Sequence, residues 1–181
     1  MNTPTIKGIF VNSHIKAVSG KLGETGRAKL EKLFGDSIVF RNSDNVPIRD
    51  EVKLIECAVT VLSGDRVSKN NLEYEAGRLH FADFTTTPLA KILFSIFRKN
   101  FKLMMLQTKN IAGHVFQGIK FSSYDLGGNN VKVMMENNDY PLDHFRGLFQ
   151  AWMEYAGLKG KVVGKINKSK SSTYEYIMTW E

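Results

Sequence analysis

The stretch HVFQGIKFSSYDLGGNNVKVMMENNDYPLDHFRGLFQAWMEYAG, His114–Gly157, decides the fold. His114–Leu126 reads as extended and alternates like a half-buried strand, with Ile119 and Phe121 on one face and Lys120, Ser122 and Tyr124 on the other. Gly127-Gly128-Asn129-Asn130 predicts a hairpin turn, because glycine and asparagine tolerate the positive φ that tight hairpins need. Val131, Val133 and Met135 return as the paired strand. The period changes at Pro141. Leu142, Phe145, Phe149, Trp152 and Ala156 recur at steps of three and four, the spacing of one helix face. Pro141 opens that helix and Gly157 closes it. Beyond it, Val162–Ile166 and Thr173–Trp180 form a second hairpin across the polar turn Lys168–Ser172. Tyr174, Tyr176, Met178 and Trp180 share one face of its last strand.

Upstream of this ββαββ unit the pattern is helical. Asn12-Ser13 caps a short helix to about Ser19, and Gly20–Gly26 is a loop whose Thr25 caps a second helix through Phe34. Ile48, Val52, Ile55, Val59 and Leu62 form a stripe that predicts a central helix. Another runs from about Asn71 to Phe84. Thr85-Thr86-Thr87-Pro88 breaks it and starts the next, since proline fits a first helical turn. That next helix is predicted to bury Leu89, Ile92, Leu93, Ile96 and Phe97 and to turn Lys91, Ser95, Arg98, Lys99 and Lys102 outward. The expected architecture is α+β, an N-terminal helical layer followed by an antiparallel ββαββ sheet unit. No linker, repeat or low-complexity run divides residues 1–181, which read as a single domain.

With 43% hydrophobic and 11% aromatic residues, the chain is not a disordered tail. Its single cysteine, Cys57, excludes a disulfide framework and a multi-thiolate cluster, and reads as inert core. No apolar run approaches the ~18 residues of a membrane span, and the N-terminus lacks signal-peptide order. A soluble, cytoplasmic protein is expected. The 25 Lys and Arg against 18 Asp and Glu give a net charge of +7. That excess is local. Residues 1–86 carry +1, residues 87–120 carry +6 without a single acid, residues 121–158 carry −3 and residues 159–181 carry +3. An acid-free stretch of that length favours an anionic partner, while a merely solvated face is the plainer alternative.

Catalytic patterns are missing. There is no nucleophile elbow, activated cysteine, paired carboxylate or phosphate-cradling glycine loop, so an enzyme is not expected. His14, His80, His114 and His144 are far apart in sequence and read as surface or hydrogen-bonded histidines, with no metal site. Three features point to binding. Arg78, next to Gly77, predicts a partly buried guanidinium that grips an anionic ligand or pairs with Glu75 or Asp83. Tyr74, Tyr174 and Tyr176, with Phe81, Phe84 and Trp180, line an apolar ligand pocket or simply pack the core. Lys91, Arg98, Lys99 and Lys102, with Lys109 downstream, form a basic face for an acidic protein surface. Nucleic acid is disfavoured there because the aromatics fall on the apolar side.

Several segments resemble a known family. They are Gly8-Ile-Phe-Val-Asn-Ser-His14, the Gly20–Gly26 loop, Glu75-Ala-Gly-Arg78, Phe84-Thr-Thr-Thr-Pro-Leu-Ala-Lys91, Tyr140-Pro141 through the helix to Gly157, and Thr173-Tyr-Glu-Tyr-Ile-Met-Thr-Trp180. Together they are similar to the myxobacterial paralogous-domain family, bacterial proteins of unassigned function. That family lies within the fold shared by haem–nitric-oxide-binding domains, 4-vinyl reductase domains and TRAPP transport subunits. The resemblance implies a helical layer against a sheet, with an apolar pocket or a dimer interface. The Tyr-x-Ser-x-Arg grip of a haem sensor does not occur, and Cys57 lies far from the C-terminal strands where the reductase domain has its cysteine-containing metal-site pattern, so no cofactor is expected. The leading functional expectation is a non-enzymatic signalling or scaffold domain binding an acidic protein, tuned or not by a ligand. A sensor of a nucleotide or other small anion and a nucleic-acid binder are the alternatives, and a homodimer is compatible with the fold.

Overall fold

The computed structural model describes residues 3–97, 100–167 and 173–181. Strand β1 (Thr5–Lys7) leads into helix α1 (Gly8–Phe34), and β2 (Asn45–Pro47) into α2 (Ile48–Ser63). Helices α3 (Leu72–Thr85), α4 (Pro88–Ile96), α5 (Phe101–Leu106) and α6 (Thr108–Gly113) follow. Then come β3 (Phe116–Gln117), β4 (Lys120–Asp125), β5 (Asn130–Glu136), α7 (Leu142–Tyr155), β6 (Gly160–Ile166) and β7 (Tyr174–Trp180). The expected α+β order is therefore present, with β4, β5, β6 and β7 in one antiparallel sheet ordered β4-β5-β7-β6. Val131, Val133, Met135, Tyr176 and Met178 alternate into its buried face, as the period of two requires.

Three local differences have physical reasons. The two predicted helices flanking Gly20–Gly26 join into α1, broken only at Gly23, whose φ of 63° suits glycine. The extended run expected from His114 starts only at Phe116, because His114 and Val115 turn at the end of α6, and it breaks at Gly118, where φ is 86°, so Phe116–Gln117 leaves the main sheet and pairs with β1 in a second sheet ordered β2-β1-β3. Strands of two or three residues are too short for a period to show. The predicted basic helix is two short ones, α4 and α5. Thr87 caps α4 by accepting from the Ala90 N–H, and Asn100 caps α5 by accepting from the Leu103 N–H. Phe94 packs on Phe81, Phe84, Trp152 and Tyr155, with ring centroids 4.9–6.4 Å apart. This puts Ala90, Leu93, Phe94 and Phe97 inward, about 80° round the helix from the predicted face at 3.6 residues per turn. Ile92 and Ile96, expected in the core, are 58% and 65% exposed.

The centre of the molecule is the crossing of α3 and α7. A Cβ at Gly77 would overlap the His144 carbonyl, and one at Gly147 would overlap the Tyr74 carbonyl, so these helices meet backbone to backbone. Phe81, Phe84 and Trp152 fill the flank of that contact. Among the described residues, no helix is long and apolar enough to cross a membrane. Gly77→Ala and Gly147→Ala should each lower unfolding free energy by roughly 2–3 kcal/mol through overpacking, read as a reduced urea midpoint at unchanged slope. A midpoint within error of the parent would show that the helices part without cost.

Candidate functional site

Four helices each send polar side chains to one dry point. His14 comes from α1, Glu51 from α2, His80 and Asp83 from α3, and His144 from α7, with Tyr140 just ahead of it. His14, Glu51 and His144 are fully buried, and Tyr140, His80 and Asp83 nearly so. The His14 ring lies between two carboxylates, Nδ1 at 2.7 Å from Asp83 Oδ2 and Nε2 at 3.0 Å from Glu51 Oε1. His80 Nδ1 is 3.5 Å from the same Glu51 oxygen and 3.0 Å from His144 Nε2. Glu51 Oε2, His144 Nδ1 and the Tyr140 hydroxyl are buried with no hydrogen-bond partner. The Tyr140 hydroxyl approaches the Glu51 carboxylate without a well-formed bond.

Electrostatics sort these groups. Burial opposes a charge on His14, but the Asp83 and Glu51 carboxylates on its two nitrogens prevail and raise its pKa to about 9. Burial would raise Glu51, yet the facing histidines, His80 first, bring it down to about 2. Burial lowers His80 to about 4 against the pull of Glu51, and lowers His144 to about 3 with His80 adding to the effect. The arrangement is an imidazolium between two carboxylates, beside two neutral imidazoles.

The residues singled out in the sequence do not meet there. Arg78 donates to Glu154 at 2.8 Å and lies 3.9 Å from Glu75, on the surface side of α3. Glu75 is thus one of its partners, whereas Asp83 is taken by His14. Tyr74 lies under the Arg146 guanidinium, and Tyr176 is buried with its hydroxyl donating to the Leu142 carbonyl at 3.2 Å. Tyr174 is half-buried at the start of β7. None of these four lines the apolar cleft between helices and sheet, which is edged by Phe84, Phe116, Phe121, Phe145 and Trp152 and holds only about 50 Å³. The basic residues are dispersed as well. Lys91 is exposed on α4, whereas Lys102 on α5 is tied to Asp125 at 2.8 Å and the Gly128 carbonyl at 2.9 Å. Lys109 on α6 lines a separate shallow groove with Lys120 and Glu136. Arg98, Lys99 and the turn Lys168–Ser172 lie outside the described residues. Burial raises the pKa of the half-buried Cys57 thiol, which favours the unreactive form.

A groove opens beside Lys91. Phe94, Phe97, Met104 and Tyr155 line it, its volume is about 550 Å³, and Ile92 and Ile96 stand on the outer face of the same helix.

The architecture is that of the H-NOX domains. The Fe(II) unliganded H-NOX protein from K. algicida superposes with a TM-score of 0.67 at 15% identity, covering 97% of this chain and 96% of that one. An oxygen-binding H-NOX domain related to soluble guanylate cyclases gives 0.66 at 13% identity, over 97% and 95%. A variant of the T. Tengcongensis H-NOX protein gives 0.56 at 15% identity, over 97% of each chain. The chain belongs to DUF2378, a family described as protein of unknown function, whose profile matches residues 2–181. No curated protein sequence matches it.

The haem that this likeness implies does not fit the residues present. A cleft of about 50 Å³ is far below the ~300 Å³ at which ligand pockets begin. Phenylalanine and tryptophan rings fill the layer between helices and sheet. The one histidine at the cleft, His80, already engages His144, and His114 is exposed at the end of α6.

Histidine type and number were visible in the sequence, but not their convergence. Glu51 and Asp83 were missed as site residues because nothing in a helix pattern separates a buried carboxylate from a solvated one. Asp83→Ala should cost about 3–5 kcal/mol, because it strips a buried charged ring of a partner. Arg78→Ala should cost under about 1 kcal/mol, since its ion pairs are open to water. Guanidinium unfolding of both variants checks the contrast, and equal losses would contradict it.

Proposed function

We propose that the chain is a non-enzymatic signalling or scaffold domain that docks an acidic, partly apolar segment of a protein partner on α4. The observation that carries this reading is the pair Ile92 and Ile96, 58% and 65% exposed on a short helix that also presents Lys91 to the 550 Å³ groove. Large apolar side chains that face water side by side mark a contact surface. The charge of the neighbourhood selects the partner, because residues 87–120 carry six bases and no acid. Tyr155 and Phe94 offer the flat apolar floor that such a segment would cover. The setting that fits a single unpaired cysteine is a reducing compartment such as the cytoplasm. A nucleotide sensor has less support: the interior cleft is small and Arg78 is spent on Glu154 and Glu75.

Selection of a displayed random-peptide library on the immobilised full chain tests the proposal. Enriched peptides should be acidic with at least one large apolar residue. Their affinity should fall several-fold between low and physiological salt, and at least tenfold in Lys91→Glu/Ile96→Asp. Both positions are exposed, so that variant should melt with the parent. Neutral or basic winners, or winners that bind the double variant equally, would overturn the assignment of this surface.

A further inference from the structure

We infer that His14, Glu51 and His80 form a binding site for a single divalent transition-metal ion, with His144 placed to complete the ligand set. Nothing in the docking surface bears on it.

The donor atoms already have the spacing of a coordination shell. One ring nitrogen each of His14 and His80 and a Glu51 carboxylate oxygen lie within 4.8 Å of one another. The separations along the chain of contacts are 3.0 Å from His14 to Glu51, 3.5 Å from Glu51 to His80 and 3.0 Å from His80 to His144. A tetrahedral ion with bonds of 2.0–2.1 Å holds its ligand atoms about 3.3 Å apart. These distances therefore straddle the edge of such a tetrahedron.

Unpartnered groups point the same way. A hydrogen-bond network made only of protein atoms leaves His144 Nδ1 without a partner among six buried polar residues, and gives the Tyr140 hydroxyl and Glu51 Oε2 only their approach to one another. Buried polar atoms are seldom left so. The His80–His144 contact sets one ring nitrogen against another, which needs a proton held between them or a cation bound by both. Charge agrees. Two carboxylates lie buried together there, and a divalent cation on neutral imidazoles balances them.

The surroundings are those of a metal ligand shell. Asp83 accepts from His14 Nδ1 at 2.7 Å, so the opposite nitrogen, Nε2, is the one turned to Glu51 and His80. A carboxylate in that place fixes the tautomer and makes the imidazole a better donor. Three imidazoles and one carboxylate, with no thiolate, match a borderline ion such as zinc, iron(II) or cobalt(II) rather than calcium or magnesium. Spacing along the chain carries no sign of such a ligand set, because its members come from four different helices.

Refolding the full chain from denaturant with one equivalent of cobalt(II), and in parallel zinc(II), tests the inference. The expected result is a single ion per chain after desalting, intense visible bands of four- or five-coordinate cobalt, and a melting temperature about 10 °C above that of metal-free protein. His80→Gln should lose the bands and the stabilisation, and His114→Ala, at an exposed position, should keep both. The wild-type spectrum and stoichiometry decide the matter should His80→Gln fail to fold. A wild-type chain that refolds without taking up either ion, the weak bands of six-coordinate surface cobalt, or uptake unchanged in folded His80→Gln would each overturn the site.

Discussion

Backbone contact between α3 and α7 is the constraint on which the remaining structure turns. Gly77 and Gly147 have no side chain to hold the helices apart, and each faces the other helix's carbonyl. Only at that separation do His80 and His144 come within 3.0 Å, one turn along from the glycines. The same approach lets Phe81 stack on Trp152, with centroids 5.4 Å apart, while Phe116 and Phe145 lie against His80 and His144 and help bury the polar cluster. Sealing matters because Coulomb attraction between His14 and its two carboxylates gains strength as water is excluded. Packing and electrostatics are therefore not separable here: the glycines set the distance, and the distance sets the charge states.

The fold is an H-NOX architecture. Aromatic rings occupy the space between helices and sheet, and the polar chemistry sits instead among α1, α2, α3 and α7. This division leaves the helical layer with two unlike faces. Its inner face carries a charged, buried cluster, and its outer edge, at α4, carries exposed isoleucines beside a lysine. Phe94 links them physically, since its ring touches Phe81 and Phe84 on α3, the helix that also supplies His80 and Asp83.

How legible this was depended on the range of the interaction. The ββαββ order was plain, because Gly127-Gly128-Asn129-Asn130 and the stripe from Leu142 to Ala156 are local signals with strong physical causes. Glu75 was one of two acids the sequence offered as a partner for Arg78, but its shorter contact, Glu154, lies 76 residues away and left no local signal. The rotation of α4 was not legible. Helical periodicity shows that a stripe exists, but which of two apolar edges is buried was settled by Phe94 meeting Trp152, a contact across the fold. The cluster of histidines and carboxylates was hidden for the same reason. Glu51 stands in the first turn of α2, where an acid serves the helix dipole in water just as well, and no pattern within α2 marks it as buried.

The cluster also bears on the order of events as the chain forms. His14 and Glu51 are 37 residues apart, His14 and Asp83 are 69, and His80 and His144 are 64. Contacts of such separation pay loop-closure entropy before they return anything, so they mature late, after the hairpins and local helices. During synthesis the first three helices emerge with His14, Glu51, His80 and Asp83, but α7 follows only after the α4–α6 segment and the first hairpin. Until then His144 and the backbone of α7 are missing from the cluster. Completion of the dry centre is thus a late step of folding, one that registers that both halves of the chain have met.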